Sequence, residues 1–314
     1  MGVNKLFNYI KDVLENQPKN WLNLTTHRLD IYDEKMAKRQ FLEQFETLFN
    51  TNNSTPSALN NLPTAYDYIR LGHPLSCVLE WTVAKLQQLN PENVISFSSG
   101  TAPVLAILRT NLLDHKNTKI LYTGELPDFF DAEVLKSVYG YHFVLEKIET
   151  TANISAFDGS TIFISQHAEF DNIDLNSNID FLVNFQPQFG SVLLVNGAQN
   201  SAYISEIQHV RRRETIAMTP DNCLAILKAI TKLSSTEKNR NLETHKITVL
   251  NAIATVTNSS TKAVIGSSGL SIQYAIMMGL IHDAQKNHKG KDIKFIVPPN
   301  CYGGTNDQAR RVAR

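Results

Sequence analysis

The chain has 314 residues, its 30 Lys and Arg balance 30 Asp and Glu, and 42% of its residues are hydrophobic. That composition excludes a disordered or fibrous chain, and zero net charge leaves no electrostatic footprint for nucleic acid or an anionic membrane. At roughly 150 residues per domain, the length allows two modest domains or one large α/β domain. Cys77, Cys223 and Cys301 lie far apart with no CxxC pair, which argues against a disulfide framework or a zinc site. The N-terminal twenty residues have no apolar core or small-residue cleavage site, and the most apolar window, 269–281, is too short to span a bilayer. A cytoplasmic protein is the expectation.

In chain order, the spacing of Leu6, Ile10 and Leu14, then of Phe41, Phe45 and Leu48, predicts helices within 3–50. A loop rich in Asn, Ser, Thr and Pro follows at 50–63. An extended segment with Tyr68 and Arg70 leads into a helix that begins near Leu75 and ends at Asn90 and Pro91; His73 reads as a turn residue. A strand at 94–97, a turn at 98–101 and a helix at 102–113 come next. Strands at 119–122, 141–145, 161–165, 181–183 and 192–195, with a helix at 131–138, predict an α/β fold with a mostly parallel, doubly wound sheet flanked by helices. The basic run Arg211, Arg212, Arg213 reads as a solvated face. Residues 222–256 are predicted mainly helical. A strand at 263–266, a turn at 267–270, a helix at 271–285, a strand at 294–297 and a loop at 298–305 complete the pattern.

Two stretches share one layout. Ser98, Ser99 and Gly100 follow an apolar strand and open a helix, and so do Ser267, Ser268 and Gly269. This reads as a weak internal duplication, against the alternative of two unrelated βαβ units. A glycine turn at a helix start presents free N–H groups in the favourable field of the helix dipole, so it can take a phosphate without a basic side chain. A tight corner is the alternative. Tyr68 and Arg70, two apart on an extended segment, point the same way and suit a shared anion. Tyr302 lies in a loop placed to stack on a planar ligand or on Pro298 and Pro299, and Gly303 and Gly304 allow close backbone approach.

Together these residues resemble the Cys/Met-metabolism family of pyridoxal-phosphate enzymes, the cystathionine γ-synthase, cystathionine lyase and methionine γ-lyase group. The family's Tyr-x-Arg-x-Gly-Asn-Pro-Thr segment, its Leu-Glu and its Ser-Ser-Gly-Met-Ala are matched by the runs at 68–75, 79–80 and 98–102, and its Tyr-Gly-Gly-Thr by 302–305. The resemblance implies the large-domain fold of fold-type I pyridoxal-phosphate transferases, an amino-acid substrate, and β- or γ-elimination or replacement of the trans-sulfuration type. It also implies a phosphate held by Ser99, Gly100 and Thr101 and, in the second copy, by Ser268, Gly269 and Leu270. Tyr302 would stack on the pyridine ring and assist proton transfer. Tyr68 and Arg70 would reach a neighbouring unit's phosphate, in a homo-oligomer or a pseudo-dimer.

The departures carry as much weight. The family holds the pyridinium with an Asp and the aldehyde with a Lys. The strand at 192–195 is followed by Asn196, and Asp221 sits where the lysine is due. The lysine segment reads as deleted, with Lys228 and Lys232 as poor substitutes. Leu126, Pro127, Asp128 and Phe129 stand where the first copy would carry its stacking Tyr. The expected organisation is therefore a helical segment at 1–54, a degenerate cofactor domain at 55–255, and the start of a second unit at 256–314, as in a fragment of a longer tandem protein. The alternative is a non-catalytic half that pairs with an active domain. A third reading, a nucleophile at Ser99 or Cys301, lacks a G-x-S-x-G elbow and a placed His.

Overall fold

The computed structural model describes residues 2–24, 34–63, 65, 68–166, 170, 175–233, 241–260 and 262–312. Helices α1 (Val3–Asn16), α2 (Glu34–Asn50) and the short α3 (Pro56–Asn60) precede α4 (Pro74–Gln87). The predicted helical stretch 3–50 is therefore two helices, with 25–33 outside the described residues, and the predicted 50–63 loop contains one short helix. Helix α4 starts at His73. Its ring nitrogen accepts from the Ser76 amide and the Ser76 hydroxyl accepts from the His73 amide, a reciprocal cap that fixes where the extended segment ends.

A six-stranded sheet forms the centre, in the order β1-β6-β5-β4-β2-β3. Its strands are β1 (Val94–Phe97), β2 (Thr118–Tyr122), β3 (Val144–Lys147), β4 (Ser160–Ser165), β5 (Phe181–Gln186) and β6 (Gly190–Val195). Every residue of β4 and β5 is buried, the polar Ser160, Thr161, Ser165, Asn184 and Gln186 included, because these strands lie in the middle of a sheet covered on both faces. Side chains alternate between two cores. Val94, Phe163, Leu182 and Leu194 face the layer of α1, α2, α4 and α8 (Pro220–Ile230). Ile95, Ile162, Val183 and Leu193 face the layer of α5 (Ala102–Leu113), α7 (Ala202–Glu214) and α10 (Gly269–Asn287). The sheet is thus covered on both faces, the α/β class that the alternation predicts. Helix α6 (Ala132–Ser137) lies between β2 and β3 in the chain, and α9 (Leu242–Thr257) and α11 (Gly303–Val312) flank α10 in sequence.

The sheet is mostly parallel, as expected: β2, β3, β4 and β5 pair in parallel, and β6 alone is reversed, antiparallel to both β1 and β5. Between β5 and β6 stand only Pro187, Gln188 and Phe189, far too few for a parallel crossover. The strands expected at 263–266 and 294–297 belong to no sheet; Val264 and Ile296 are exposed, and this part of the chain contributes α10 and α11 instead. The Arg211 side chain is buried, not solvated. It pairs with Glu80 at 2.8 Å and donates to the carbonyls of Ser96 and Leu71. Lys38 takes the other Glu80 oxygen at 2.7 Å. Burial alone would raise the Glu80 pKa; the two cations outweigh it and hold the carboxyl down to about 2. This network ties the 68–72 segment to β1 and so helps to place Arg70.

Candidate functional site

The first Ser-Ser-Gly turn leaves the end of β1. The Ser98 amide donates to the Ile216 carbonyl at 3.2 Å, the Ser191 hydroxyl donates to the Ser99 carbonyl at 2.6 Å, and the Ser99 hydroxyl accepts from the Ala102 amide at 3.1 Å. Pro103 in the first turn of α5 removes one N–H donor. Gly100 is required by contact: a Cβ there would lie 2.3 Å from the Phe129 ring. Phe129 in turn packs edge-on against Phe185 at 5.1 Å. An aromatic side chain thus lies directly on this turn. The Ser99 hydroxyl is engaged as a local cap of the first turn of α5.

The second turn is different. Ser268 and Ser271 cap one another at the start of α10, with bonds of 3.1 and 3.0 Å. A Cβ at Gly269 would meet nothing within 4 Å, so this turn is open where the first is covered. Tyr302 immediately precedes α11. At Gly304 a Cβ would fall 2.7 Å from the Tyr302 ring and 2.8 Å from the Leu270 side chain. The glycine therefore lets the starts of α10 and α11 close on each other, with two positive helix ends converging.

Tyr68 and Arg70 come from the other half of the chain and meet this pair of helix starts. Arg70 Nη2 donates to the Tyr302 hydroxyl at 2.7 Å, across 232 positions of sequence. Its guanidinium stands 4.6 Å from the centre of the Tyr68 ring and 5.9 Å from that of Tyr302. The Ala217 amide donates to the Ile69 carbonyl, which fixes the strip of chain between the two. Of the residues expected at a site, Tyr68, Arg70, Leu270 and Tyr302 are gathered here, with Ser268 and Gly269 two positions and one position before Leu270. Ser99, Gly100 and Thr101 form the other, covered turn.

Asn196 is corrected by the topology. Because β6 is reversed, Ser191 pairs with Phe97 beside the first turn, and Asn196 follows Val195 at the opposite edge of the sheet. There it donates to the carbonyls of Ile179 and Asn176. It therefore does not stand in for an acid under a ring at either turn. Lys228 occupies the last turn of α8, a helix packed with α1 and α4 on the far face of the sheet from α5 and α10. His73, the cap of α4, is fully buried with Nε2 2.7 Å from the Met218 carbonyl, and burial lowers its pKa to about 4. Sequence reading passed over Phe129 and Phe185 as the cover of the first turn. It also passed over a glutamine chain, Gln273 and Gln308, between α10 and α11. Aromatic letters in the loop after β2 were the available signal for the cover; nothing in spacing pointed to the glutamines.

Among the described residues, no helix is long and apolar enough to cross a membrane, and no group of three or more His, Cys, Asp or Glu is placed to hold a metal ion. No family model matches the chain, and no curated protein does. Among solved structures it is similar to cystathionine gamma-lyase from yeast, with a TM-score of 0.43, 13% identity, and coverage of 79% of this chain and 68% of that one. It is also similar to cystathionine gamma synthase from Xanthomonas oryzae pv. oryzae in complex with cystathionine, with a TM-score of 0.43, 10% identity, and coverage of 81% and 69%. A third is the putative O-acetylhomoserine (thiol)-lyase from Campylobacter jejuni, with a TM-score of 0.38, 13% identity, and coverage of 77% and 71%.

Proposed function

We propose that this chain is part of a pyridoxal-phosphate enzyme of sulfur amino-acid metabolism, in which its first unit serves as a pairing half. That unit, 55–255, lends Tyr68 and Arg70 to a phosphate site begun by Ser268, Gly269, Leu270 and Tyr302. The observation that carries the reading is the Arg70 to Tyr302 hydrogen bond of 2.7 Å. In the motif pattern this chain resembles, the Tyr-x-Arg segment serves a neighbouring unit; here it meets the starts of α10 and α11 of its own chain, which supports a pseudo-dimer reading.

The residues fit the phosphate end of the cofactor. The open Gly269 turn supplies backbone N–H groups, α10 and α11 supply helix N-termini, and Arg70 supplies a fork of donors. Tyr302 offers a ring face beside them. They do not supply an anchor for the aldehyde: none of the residues named at either turn is a lysine, so no covalent step is assigned to them. When bound, the cofactor withdraws electrons from a carbanion of an amino-acid substrate. Arg70 would hold the phosphate, and Tyr302 would orient the ring and hold a proton on its hydroxyl. The covered first turn, with Phe129 on Gly100, favours a pairing role over cofactor binding for the first unit.

Titration of the full chain with pyridoxal phosphate, followed by fluorescence and by borohydride reduction with peptide mass mapping, tests the reading. Saturable binding that inorganic phosphate competes away, weakened about tenfold in Arg70→Ala, is the expected result. Binding indifferent to both phosphate and Arg70 would sink the site. A stoichiometric adduct on one lysine of this chain would overturn the pairing-half assignment.

A further inference from the structure

Gln308 lies on α11 and is 1% exposed. Its Nε2 carries two hydrogens, and both are used: one goes to the Arg213 carbonyl at the end of α7 at 2.8 Å, the other to the Leu270 carbonyl in the first turn of α10 at 2.9 Å. Its Oε1 accepts from Gln273 Nε2 at 2.8 Å. Gln273 Oε1 accepts in turn from the Thr305 hydroxyl at 2.8 Å, in the first turn of α11. One side-chain amide therefore joins three helices. Its bonds run back to both helix starts that meet at Gly304.

We propose that Gln308 is a positioning residue that sets Tyr302 against Arg70. Tyr302 is more than half exposed, at 57%; its ring lies close to Gly304, beside the Leu270 side chain, and its hydroxyl accepts from Arg70. What holds the ring there is the relation between the starts of α10 and α11. Leu270 is the residue whose side chain bounds Tyr302 at Gly304, and its carbonyl is the one Gln308 binds. Thr305, three residues after Tyr302, is bound to Gln273, which Gln308 holds from the other side. A hydrophobic side chain of equal length keeps the volume and loses the two donors and the acceptor together. Of the hydrogen bonds between the two helix starts only the one from Thr305 to Gln273 then remains, with Gln273 no longer held from its other end, and Tyr302 leaves Arg70. The inference deepens the phosphate-site reading for the same residues, but its geometric content does not need a ligand.

The experiment places 3-fluorotyrosine at position 302 of the full chain and records its fluorine resonance in the parent, Arg70→Ala, Gln308→Met and Leu227→Ala. Leu227 is buried on the far face of the sheet and controls for lost stability. Expected is a resonance in Gln308→Met moved towards that of Arg70→Ala and unmoved in Leu227→Ala. Phosphate affinity should fall severalfold in Gln308→Met, and the further loss should vanish in the Arg70→Ala background, because the two act through one ring. A Gln308→Met chain that is less stable but keeps the parent resonance would overturn the proposal and leave Gln308 a packing residue. A parent resonance that ignores both inorganic phosphate and pyridoxal phosphate would overturn the phosphate site alone. The shift of Gln308→Met towards Arg70→Ala would still support the positioning role.

Discussion

His73 shows how a single residue couples the fold to pH. Its folded pKa is near 4 against an ordinary 6.5, chiefly because burial disfavours the imidazolium. The unfolded chain therefore binds a proton that the folded chain refuses between these values. Stability from this residue is full above about pH 6.5, declines as pH falls, and levels off below about 4, a loss on the order of 3 kcal/mol. Urea unfolding at several pH values should show this slope, and His73→Asn, which keeps a capping side chain, should flatten it. An unchanged slope in the variant would rule out His73 as its source. Arg211 carries a second residue-scale lesson. A run of three arginines looks solvated in sequence, yet a helix points successive residues about 100° apart, so one of the three can face the core and pair with Glu80.

At the scale of elements, the hairpin from β5 to β6 decides the most. Gln188 sits at φ +68° and Gly190 at +125°, and a Cβ at position 190 would lie 2.0 Å from the Phe97 carbonyl oxygen. Gly190→Ala must therefore strain the turn and push β6 from β1. A loss of at least about 2 kcal/mol is expected in thermal or urea unfolding, and an unshifted midpoint would refute this account of the hairpin. The shortness of the connection made the reversal of β6 legible from the residues alone. Motif alone aligns Asn196 with the family's Asp, and the reversal of β6 puts it at the opposite sheet edge from the first turn, since reversing one strand exchanges the edges at which its two ends emerge. The segments around Val264 and Ile296 have the apolar, β-branched composition of strands. Composition selects an extended backbone, but a ladder also needs a neighbouring strand to pair with, and none adjoins them among the described residues.

For the whole molecule, α10 is joined to α5 and α7 by buried polar contacts as well as by apolar packing. Arg109 on α5 makes a two-pronged pair with Glu214 on α7, at 2.5 and 2.8 Å, and donates to the Tyr274 hydroxyl on α10 at 2.8 Å. Removing one partner of a buried pair leaves the other charge unmatched. Glu214→Gln should therefore cost about 3–5 kcal/mol in urea unfolding and weaken phosphate binding at Tyr302 as α10 loosens. A loss below about 1 kcal/mol would mean that the junction rests on apolar packing alone.

By itself the sequence determined what depends on near neighbours: the helix periodicities, the strand segments of the central sheet, the two Ser-Ser-Gly turns, and the pairing of Tyr68 with Arg70. These follow from residue spacing, because repeats of 3.6 and 2 residues and glycine's freedom act within a few positions. Only the tertiary structure decided which turn is covered and which is open. Phe129 closes on Gly100, whereas nothing meets a Cβ at Gly269. It alone brought Arg70 to Tyr302 over 232 positions and set Gln308 between three helices. Such contacts arise when apolar faces stack into layers, and the packing of those layers, which no local pattern encodes, selects which distant polar groups are left facing each other.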